Sequence, residues 1–406
     1  MYFRFAWRYF KAKKSTNAIN IIAWVTTGVI AFATCCQILV LSVFNGFEDL
    51  VKSLYASFYT DIKITPATGK TFHLDPQKIT SIQHLSNVKA YSLVAEEKAL
   101  LKHDEYQSIV QLKGVDKYYQ NVCDISSKII MGDYSVGDSN HPSIVMGSGI
   151  QNATAISVNE AAGPELVTVI LPKSKSSSND PMESLSEGNA FTAGVFSIQQ
   201  DFDNSYALTN IDFVKQQMGL DKDEYSGMEI KLYDEQKNDL TKKKIEAILG
   251  KKILVKNRYQ QNANLYSTMK TEKWAIYALL CLILIIAAFN IISALTMLVL
   301  EKKQDIAILN SLGAKRKSIK NIFLTEGLLI GVVGCAIGIS MASLICFFQL
   351  KYKWIHLEGG TFLIDYFPVK LSVADYIIVS GTALVITFIA SWIPANKASK
   401  QTIELK

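Results

Sequence analysis

Four long apolar runs stand out from an otherwise mixed sequence, at residues 21–44, 274–300, 322–350 and 376–393. Each run is long enough to cross a hydrocarbon core of ~30 Å, which needs about 20 helical residues. Glu326 is the one charged side chain inside them. Core helices of soluble proteins rarely extend this far without an amphipathic break. The pattern therefore predicts four transmembrane helices.

The first run is too long for a cleaved signal peptide, and no small-x-small cleavage site follows it before Asn45. We expect an uncleaved anchor. Before the run, Phe3, Trp7 and Phe10 recur at helical spacing, with Arg4, Arg8 and Lys11 on another face. This pattern predicts an amphipathic helix over residues 1–20 at the membrane surface. A basic flank without helical structure explains the charges equally well.

Between the first two runs, residues 45–272 read as a large domain of mixed α and β structure. The predicted strands are 60–65, 99–101, 108–114, 166–171, 191–198, 228–232 and a piece following Gly250, and the predicted helices are 76–85, 210–218 and 235–249. Cys123 is the one cysteine of this segment, so the domain has no internal disulfide and must fold on its own core. The predicted fold class is a membrane α-helical protein with four transmembrane helices and a large α+β periplasmic domain inserted between helices 1 and 2.

A polar stretch, 173–189, lies between two of these strands and is rich in serine and acidic residues. It is too polar to pack in a core, so we expect a long hairpin tip or projecting loop. An insertion without consequence is the alternative.

Charge sets the expected orientation. The segments 1–20, 301–320 and 395–406 together carry 14 basic and 3 acidic residues, whereas segment 48–272 carries 24 basic and 29 acidic residues. The positive-inside rule then places the three basic segments in the cytoplasm. The predicted organisation is a cytoplasmic helix (1–20), transmembrane helices (21–44, 273–300, 321–350, 375–394), a periplasmic domain (45–272), a cytoplasmic coupling loop (301–320), a periplasmic loop (351–374) and a cytoplasmic tail (395–406).

The third run carries glycines at helical spacing, Gly327, Gly331, Gly334 and Gly338. Small residues let helix backbones approach closely in lipid, where apolar burial gives no drive for association. We interpret the stripe as a helix-packing face.

Motifs for catalysis are missing from the sequence. Gly69-Lys70-Thr71 resembles the end of a phosphate-binding loop, but Ile64 stands where that motif needs its first glycine. The sequence has no His/Cys cluster with metal spacing and no G-x-S-x-G element. We expect no catalytic residue, no metal and no cofactor in this chain, so an active transporter of this kind would need energy from a partner.

Residues 301–338, from Glu301 through Gly338, resemble the signature region of the FtsX/MacB-type ABC permeases. The resemblance is carried by these residues: Glu301, Asp305, Ile306, Ile308, Leu312, Gly313, Ala314, Ile319, Phe323, Glu326, Gly327, Gly331, Gly334 and Gly338. It implies that the loop forms a short coupling helix that docks on a separate ATPase, which would bind ATP and Mg. The coupling residues are expected to be Glu301, Lys302, Asp305, Ile306, Leu309, Leu312 and Gly313. A short helix with an apolar edge among charged residues, ended by a glycine, is suited to fill a groove on the ATPase.

The N-terminal FAWRYFKAKK, the VLSVFNGFE ending at Glu48 and the ILPKSK piece at 170–175 are similar to the lipoprotein-releasing LolC/LolE permeases. This resemblance implies an inner-membrane subunit that extracts lipoproteins and passes them to a periplasmic carrier. The implied partners are two copies of an ABC ATPase, a second permease subunit that is identical or homologous, the lipoprotein and membrane lipids. The expected substrate-contact residues are Val40, Val43, Phe44, Phe47, Trp274, Ile276 and Leu280.

In this family a loop at the position of 173–189 receives the carrier, which points to Pro181, Met182 and Leu185. The loop departs from the family pattern, since it lacks arginine and carries Asp180, Glu183 and Glu187. The alternative function is a mechanotransmission permease of the MacB (efflux) or FtsX (cell-wall hydrolase control) kind. MacB-like proteins usually carry a fused ATPase and FtsX-like proteins a smaller external domain, and both points favour lipoprotein release.

Overall fold

The computed structural model describes residues 17–158, 163–174, 184–250, 252–357 and 364–400. The predicted helix before residue 17, the end of the predicted tail, Pro181 and Met182 lie outside these described residues. The chain divides into two compact units. The helical unit takes Met1–Leu50, Ser267–Glu358 and Ile364–Lys406, and the sheet unit takes Val51–Tyr266 and Gly359–Leu363.

The helices in chain order are α1 (Asn17–Phe58), α2 (Pro76–Gln83), α3 (Ser148–Thr154), α4 (Gln200–Asp203), α5 (Ile211–Met218), α6 (Asn238–Leu249), α7 (Arg258–Gln261), α8 (Ala263–Glu301), α9 (Lys303–Ser311), α10 (Arg316–Tyr352) and α11 (Val373–Ser399). The strands are β1 (Ile62–Pro66), β2 (Phe72–His73), β3 (Val88–His103), β4 (Tyr106–Val115), β5 (Ile129–Gly132), β6 (Ser143–Gly147), β7 (Leu166–Pro172), β8 (Leu185–Phe196), β9 (Tyr206–Asn210), β10 (Glu224–Tyr225), β11 (Gly227–Leu232) and β12 (Ile253–Asn257).

Four helices of the described chain, α1, α8, α10 and α11, are long and apolar enough to cross a membrane. The prediction of four apolar helices is therefore confirmed. Each helix extends beyond its apolar run, and α1 extends furthest, continuing past Phe44 to Phe58. Residues 45–58 are thus helical. Val51, Leu54, Tyr55 and Phe58 explain this, because they keep the three- and four-residue spacing of a helix with one apolar face.

The helical unit packs around clusters shared by all four long helices. One cluster joins Ile30 of α1, Leu284 and Ile291 of α8, Ile330 of α10 and Ala383 of α11. A second joins Ile38 and Leu41 of α1 to Leu280, Ala342 and Val379 on the other three helices. Apolar side chains from all four long helices therefore pack together in the core of the bundle.

The sheet unit is built on a ring of six strands. β3 pairs with β4, β4 with β9, β9 with β6, β6 with β8, β8 with β7, and β7 returns to β3. The β4–β9 and β6–β8 pairs are parallel, and the others are antiparallel. One buried cluster draws residues from all six strands, including Leu101, Leu112, Ile144, Val169, Ala190 and Ala207. The ring thus encloses its own core.

Beyond the ring, β3 pairs with β11, β11 with β1 and β1 with β12, all antiparallel. Helices α2 and α6 contribute Ile82, Ile245 and Leu249 to a core with Ile62 and Ile230 of this extension. The predicted mixture of α and β structure is therefore present. Two strands are longer than predicted, since β3 begins at Val88 rather than residue 99 and β8 begins at Leu185 rather than residue 191.

Four charged side chains form a buried cluster on neighbouring strands of the sheet unit. Lys113 Nζ lies 2.7 Å from Glu229 Oε1 and 3.3 Å from Glu96 Oε1. Lys63 Nζ lies 2.9 Å from Glu96 Oε2 and 3.3 Å from Glu229 Oε1. Lys113 also lies 5.2 Å from the ring of Phe58, at the end of α1. The alternating charges compensate one another in a site largely removed from water.

This cluster makes the sheet unit sensitive to acid. Burial opposes ionisation of Glu96, but the ammonium groups of Lys63 and Lys113 prevail and lower its pKa from 4.5 to about 2. A carboxylate with a lowered pKa stabilises the fold above its unfolded pKa, and this contribution is lost as the pH falls toward the folded value. We expect pulse proteolysis with pepsin on the purified protein to show falling stability of residues 51–266 from pH 4.5 to pH 2.5.

The variant Glu96→Gln should be less stable at pH 4.5 but should lose less on acidification, because its side chain does not titrate. Glu105→Gln, at an exposed position between β3 and β4, is the control and should follow the wild-type curve. If Glu96→Gln keeps the full wild-type pH dependence, the acid sensitivity does not come from this cluster.

Candidate functional site

The segment between α8 and α10 forms a short helix, α9. α8 ends at Glu301, Lys302 is the N-cap residue of α9, and Lys302 Nζ lies 3.4 Å from the carboxylate of Asp305 in its first turn. At the other end, Gly313 adopts a φ of +84° and donates its N–H to Asn310 O over 3.0 Å. Glycine takes this left-handed conformation without the strain imposed by a Cβ. The predicted glycine cap is present.

The apolar side chains of α9 fall on two faces. Ile306 is 2% exposed and packs within the helical unit against Leu298, Ile319 and Phe323. Leu309 is half-buried. Ile308 is 60% exposed and Leu312 is 79% exposed. Ile306, expected as a contact for a partner, is therefore unable to reach one directly, because it is already covered by its own chain.

The outward-pointing pair on α9 has a simple geometric basis. Ile308 and Leu312 are four residues apart, so they lie on one side of the helix. Ile306 is two residues from Ile308 and faces elsewhere. α9 is thus held to its own bundle through Ile306 and presents a separate apolar face, formed by Ile308 and Leu312, to the surroundings.

The expected substrate-contact residues lie near the end of the helical bundle that carries Asn45, and they differ in exposure. Val40 and Trp274 are exposed, whereas Val43, Phe44, Phe47 and Ile276 are half-buried. Phe47 packs edge-on against Phe367, with ring centroids 6.0 Å apart. Leu280 is buried among Ile38, Leu41 and Val379, so it supports the bundle and is not placed to touch a substrate in this arrangement.

A polar cluster at this end of the bundle joins three helices and the segment before α11; we call it the Asn45 node. Its members are Asn45 of α1, Lys273 of α8, Asp375 of α11, and Lys370 of the segment before α11. Asn45 Nδ2 donates to Asp375 Oδ2 over 2.5 Å, and Asn45 Oδ1 accepts from Lys273 Nζ over 2.7 Å. Lys273 Nζ also lies 3.7 Å from Asp375 Oδ1. Asn45 and Asp375 are only 7% and 8% exposed.

Leu185 is the first residue of β8, at the end of the β7–β8 hairpin next to the connection, and it is not in a loop. Pro172 of β7 pairs with Leu185 of β8, and pairing continues to Leu166 and Phe191. The sequence expectation of a projecting loop over 173–189 is therefore wrong for its second part, because residues 185–189 belong to β8. Their alternating exposed and half-buried positions match the period of a strand with one covered face.

The glycine stripe of α10 contacts two different helices. A Cβ on Gly327 would overlap Ser391 Oγ, and one on Gly331 would lie 2.5 Å from Thr387 Cγ2, both on α11. A Cβ on Gly334 would lie 2.9 Å from Ile30 Cβ, and one on Gly338 would overlap the carbonyl oxygen of Ala31, both on α1. The four glycines thus allow α10 to approach α11 with one half of the stripe and α1 with the other.

Sequence reasoning missed the Asn45 node and underrated Ile308. The signal for Ile308 was present, since its four-residue spacing from Leu312 marks one helix face. The node gave no comparable signal, because Asn45 lies 228 residues before Lys273, which in turn lies 102 residues before Asp375. Three side chains of the sheet unit, His73, Asp221 and Glu224, bring ligand atoms within 4.8 Å of one another. Glu224 Oε1 already accepts a hydrogen bond from Thr71 Oγ1 over 2.6 Å. We assign these three residues no metal-binding role.

The C-terminal part of the chain matches a known family of membrane proteins. Residues 277–403 match the model of the FtsX-like permease C-terminal family. The chain carries an FtsX-type permease domain. This domain takes in most of α8 and all of α9, α10 and α11, so it includes the exposed Ile308–Leu312 face and the glycine stripe. The sequence resemblance to FtsX-type permeases is confirmed.

Similarity also extends through the region before the FtsX-type domain. The chain is 27% identical to the lipoprotein-releasing system transmembrane protein LolC of Neisseria meningitidis serogroup B, over 97% of this chain and 95% of that protein. It is 25% identical to LolE of Haemophilus influenzae, over 98% and 97% of the two chains. The periplasmic region of MacB from Actinobacillus actinomycetemcomitans matches 54% of this chain and 98% of its own, with 14% identity and a TM-score of 0.36.

Proposed function

We propose that this chain is the permease subunit of an ABC transporter that extracts lipoproteins from the bacterial inner membrane and passes them to a periplasmic carrier. The similarity to LolC and LolE over nearly the full chain supports this function. It covers the sheet unit as well as the FtsX-type domain, so the likeness is not limited to the part common to many permeases. A separate ATPase hydrolyses ATP with Mg, and this chain acts without a catalytic residue of its own.

The proposed orientation follows from charge. The basic segments 1–20, 301–320 and 395–406 face the cytoplasm, which places both termini and α9 inside. The sheet unit then lies in the periplasm, and the Asn45 node lies toward the outer leaflet. An even number of spans is consistent with both termini on one side.

The ATPase docks on α9 through the face formed by Ile308 and Leu312. A short helix that presents an apolar face is a common way to fill a partner's groove. Ile306 holds α9 against α10 and α11, so movement of the docked ATPase is transmitted into the bundle. A second permease subunit, identical or homologous, completes the transporter.

Acyl chains of the lipoprotein enter beside the outer ends of α1 and α8. Val40 and Trp274 present apolar surface there, with Phe44 and Ile276 half-buried behind them. Removal of acyl chains from lipid needs apolar surface of this kind, since their transfer into water costs about 0.8 kcal/mol per CH₂ group. The carrier is received at the tip of the β7–β8 hairpin, next to Leu185, with Pro181 and Met182 as further contacts.

A photo-crosslinking amino acid at Phe44 or Trp274 tests the substrate assignment. We expect it to capture lipoprotein in membranes without ATP and to lose most of this capture when ATP is added, because hydrolysis drives the substrate out. Capture is measured by mass spectrometry of the crosslinked product.

A crosslinker at Leu344 is the matched control. Leu344 is also exposed and lies toward the same end of the bundle, but on α10. It should capture bulk lipid only. Equal capture of bulk lipid at all three positions, with no lipoprotein at any of them, would contradict lipoprotein extraction and favour another cargo.

A further inference from the structure

The Asn45 node ties segments of the helical unit together by two kinds of contact. The segment before α11 is held to α1 through backbone groups. Lys370 donates its N–H to Ser42 O over 2.9 Å, and a Cβ on Gly46 would overlap the carbonyl oxygen of Pro368. Contacts of this kind require the two backbones to stay close, so this part of the node is fixed.

The link from α8 is different in character. Lys273 reaches Asn45 and Asp375 with the end of a long flexible side chain, and that side chain is still about one third exposed. A lysine ammonium is a compact charge on a four-carbon stem and can change partners without backbone movement. Lys273 is therefore the member of the node that can leave while the rest stays assembled.

The contacts of Lys273 nevertheless stabilise the position of α8 when they are formed. Asp375 is buried, and a buried carboxylate without a cation is costly. Asn45 uses both ends of its amide, one toward Asp375 and one toward Lys273, and bonds to charged partners are about twice as strong as neutral ones. The outer part of α8 is thus held beside α1 and α11 by a contact that is strong but local.

We propose that Lys273 is a releasable pin that keeps the outer end of α8 against α1 and α11, and that it lets go when acyl chains enter between α1 and α8. This inference rests on the proposed function for the identity of the entering group, but not for the pin itself. Asn45 and Asp375 act as positioning residues that hold the ammonium group. Trp274 follows Lys273 directly, so the end of α8 that the pin releases carries an aromatic side chain proposed to contact lipid.

Hydrogen–deuterium exchange of the full-length protein in nanodiscs tests the pin without any need for substrate. Lys273→Met should increase exchange over residues 268–280 by about tenfold, the effect expected for loss of one charge-assisted hydrogen bond. Exchange over residues 42–46 should change little, because the backbone contacts of that segment remain. Lys273→Arg should restore protection, since it keeps the charge.

Lys270→Met is the matched control, because Lys270 is an exposed lysine one turn earlier on α8 and should leave exchange unchanged. If Lys273→Met fails to insert, Lys273→Met/Asp375→Asn removes both charges together, leaves no buried carboxylate unpaired and should give the same increase. Wild-type exchange over residues 268–280 in these variants would overturn the pin. Crosslinking at Phe44 reports on lipoprotein extraction separately, so an exchange increase without lipoprotein capture would leave the pin standing and reject its proposed cargo.

Discussion

Replacing both Ile308 and Leu312 with aspartate is expected to abolish binding of the partner ATPase while the chain still inserts and folds. Both side chains are largely exposed, so their replacement removes little packing inside the chain. Two carboxylates in an apolar groove would have to be desolvated without partners, which costs several kcal/mol. The measurement is co-purification of the ATPase in detergent, and the expected yield is near background.

The control for this experiment comes from the same helix. Gln304→Asp adds a charge at another exposed position of α9 and should leave the ATPase bound. Ile306→Asp is unsuitable as a test, because it buries a charge in the core of the chain and would lower folding and binding together. Full recovery of the ATPase with the Ile308/Leu312 variant would exclude this face as the docking site.

Gly338→Leu is expected to destabilise the helical bundle. The first added carbon would overlap the carbonyl oxygen of Ala31, a backbone atom that cannot turn aside. Separation of α10 from α1 would then break the contacts that Ile30 and Cys335 make in the bundle core. Overpacking a tight interior contact typically costs about 1–3 kcal/mol, and backbone clashes belong at the upper end. The measurement is the amount of protein that stays monodisperse in detergent after heating.

Gly381→Leu separates close packing from a general effect of leucine in a span. Gly381 lies on α11, and a Cβ there would meet nothing within 4 Å. This variant should behave like the wild type. Equal loss in both variants would show that the stripe on α10 is no more constrained than an exposed glycine.

The sequence predicted the parts of this fold in which apolar residues are buried or face lipid and polar residues face water. The length of the four apolar runs favoured membrane helices over the core helices of a soluble protein. Gly313 marked the end of α9, because glycine adopts a left-handed backbone without strain. Prediction failed where a polar residue lies inside a helix or strand because distant residues of the chain satisfy its hydrogen bonds. Asn45 appeared to end the first span, yet its amide is satisfied by Lys273 and Asp375, and α1 continues through it.

The sheet unit shows the same limitation. β3 contains Glu96, Glu97 and Lys98 in its centre, which breaks the alternation that identifies a strand. Glu96 is acceptable there because Lys63 and Lys113 of the same sheet meet it, and Glu97 pairs with Lys70 over 2.7 Å. On α9, the sequence showed four apolar residues but not which of them are buried in the bundle and which are exposed. Burial of Ile306 depends on where α10 and α11 lie, which no local pattern contains.

The ring of six strands leaves the connection between β7 and β8 free to vary in sequence and length. The pairing of β7 with β8 includes the last residue of β7, Pro172, and the first residue of β8, Leu185. Each strand is also paired with another strand of the ring. Their register is therefore fixed without help from the residues that connect them. Insertions, deletions and changes of composition between the two strands can accumulate over evolution with little loss of stability. The connection between β7 and β8 is therefore the part of the sheet unit whose length and composition the fold constrains least.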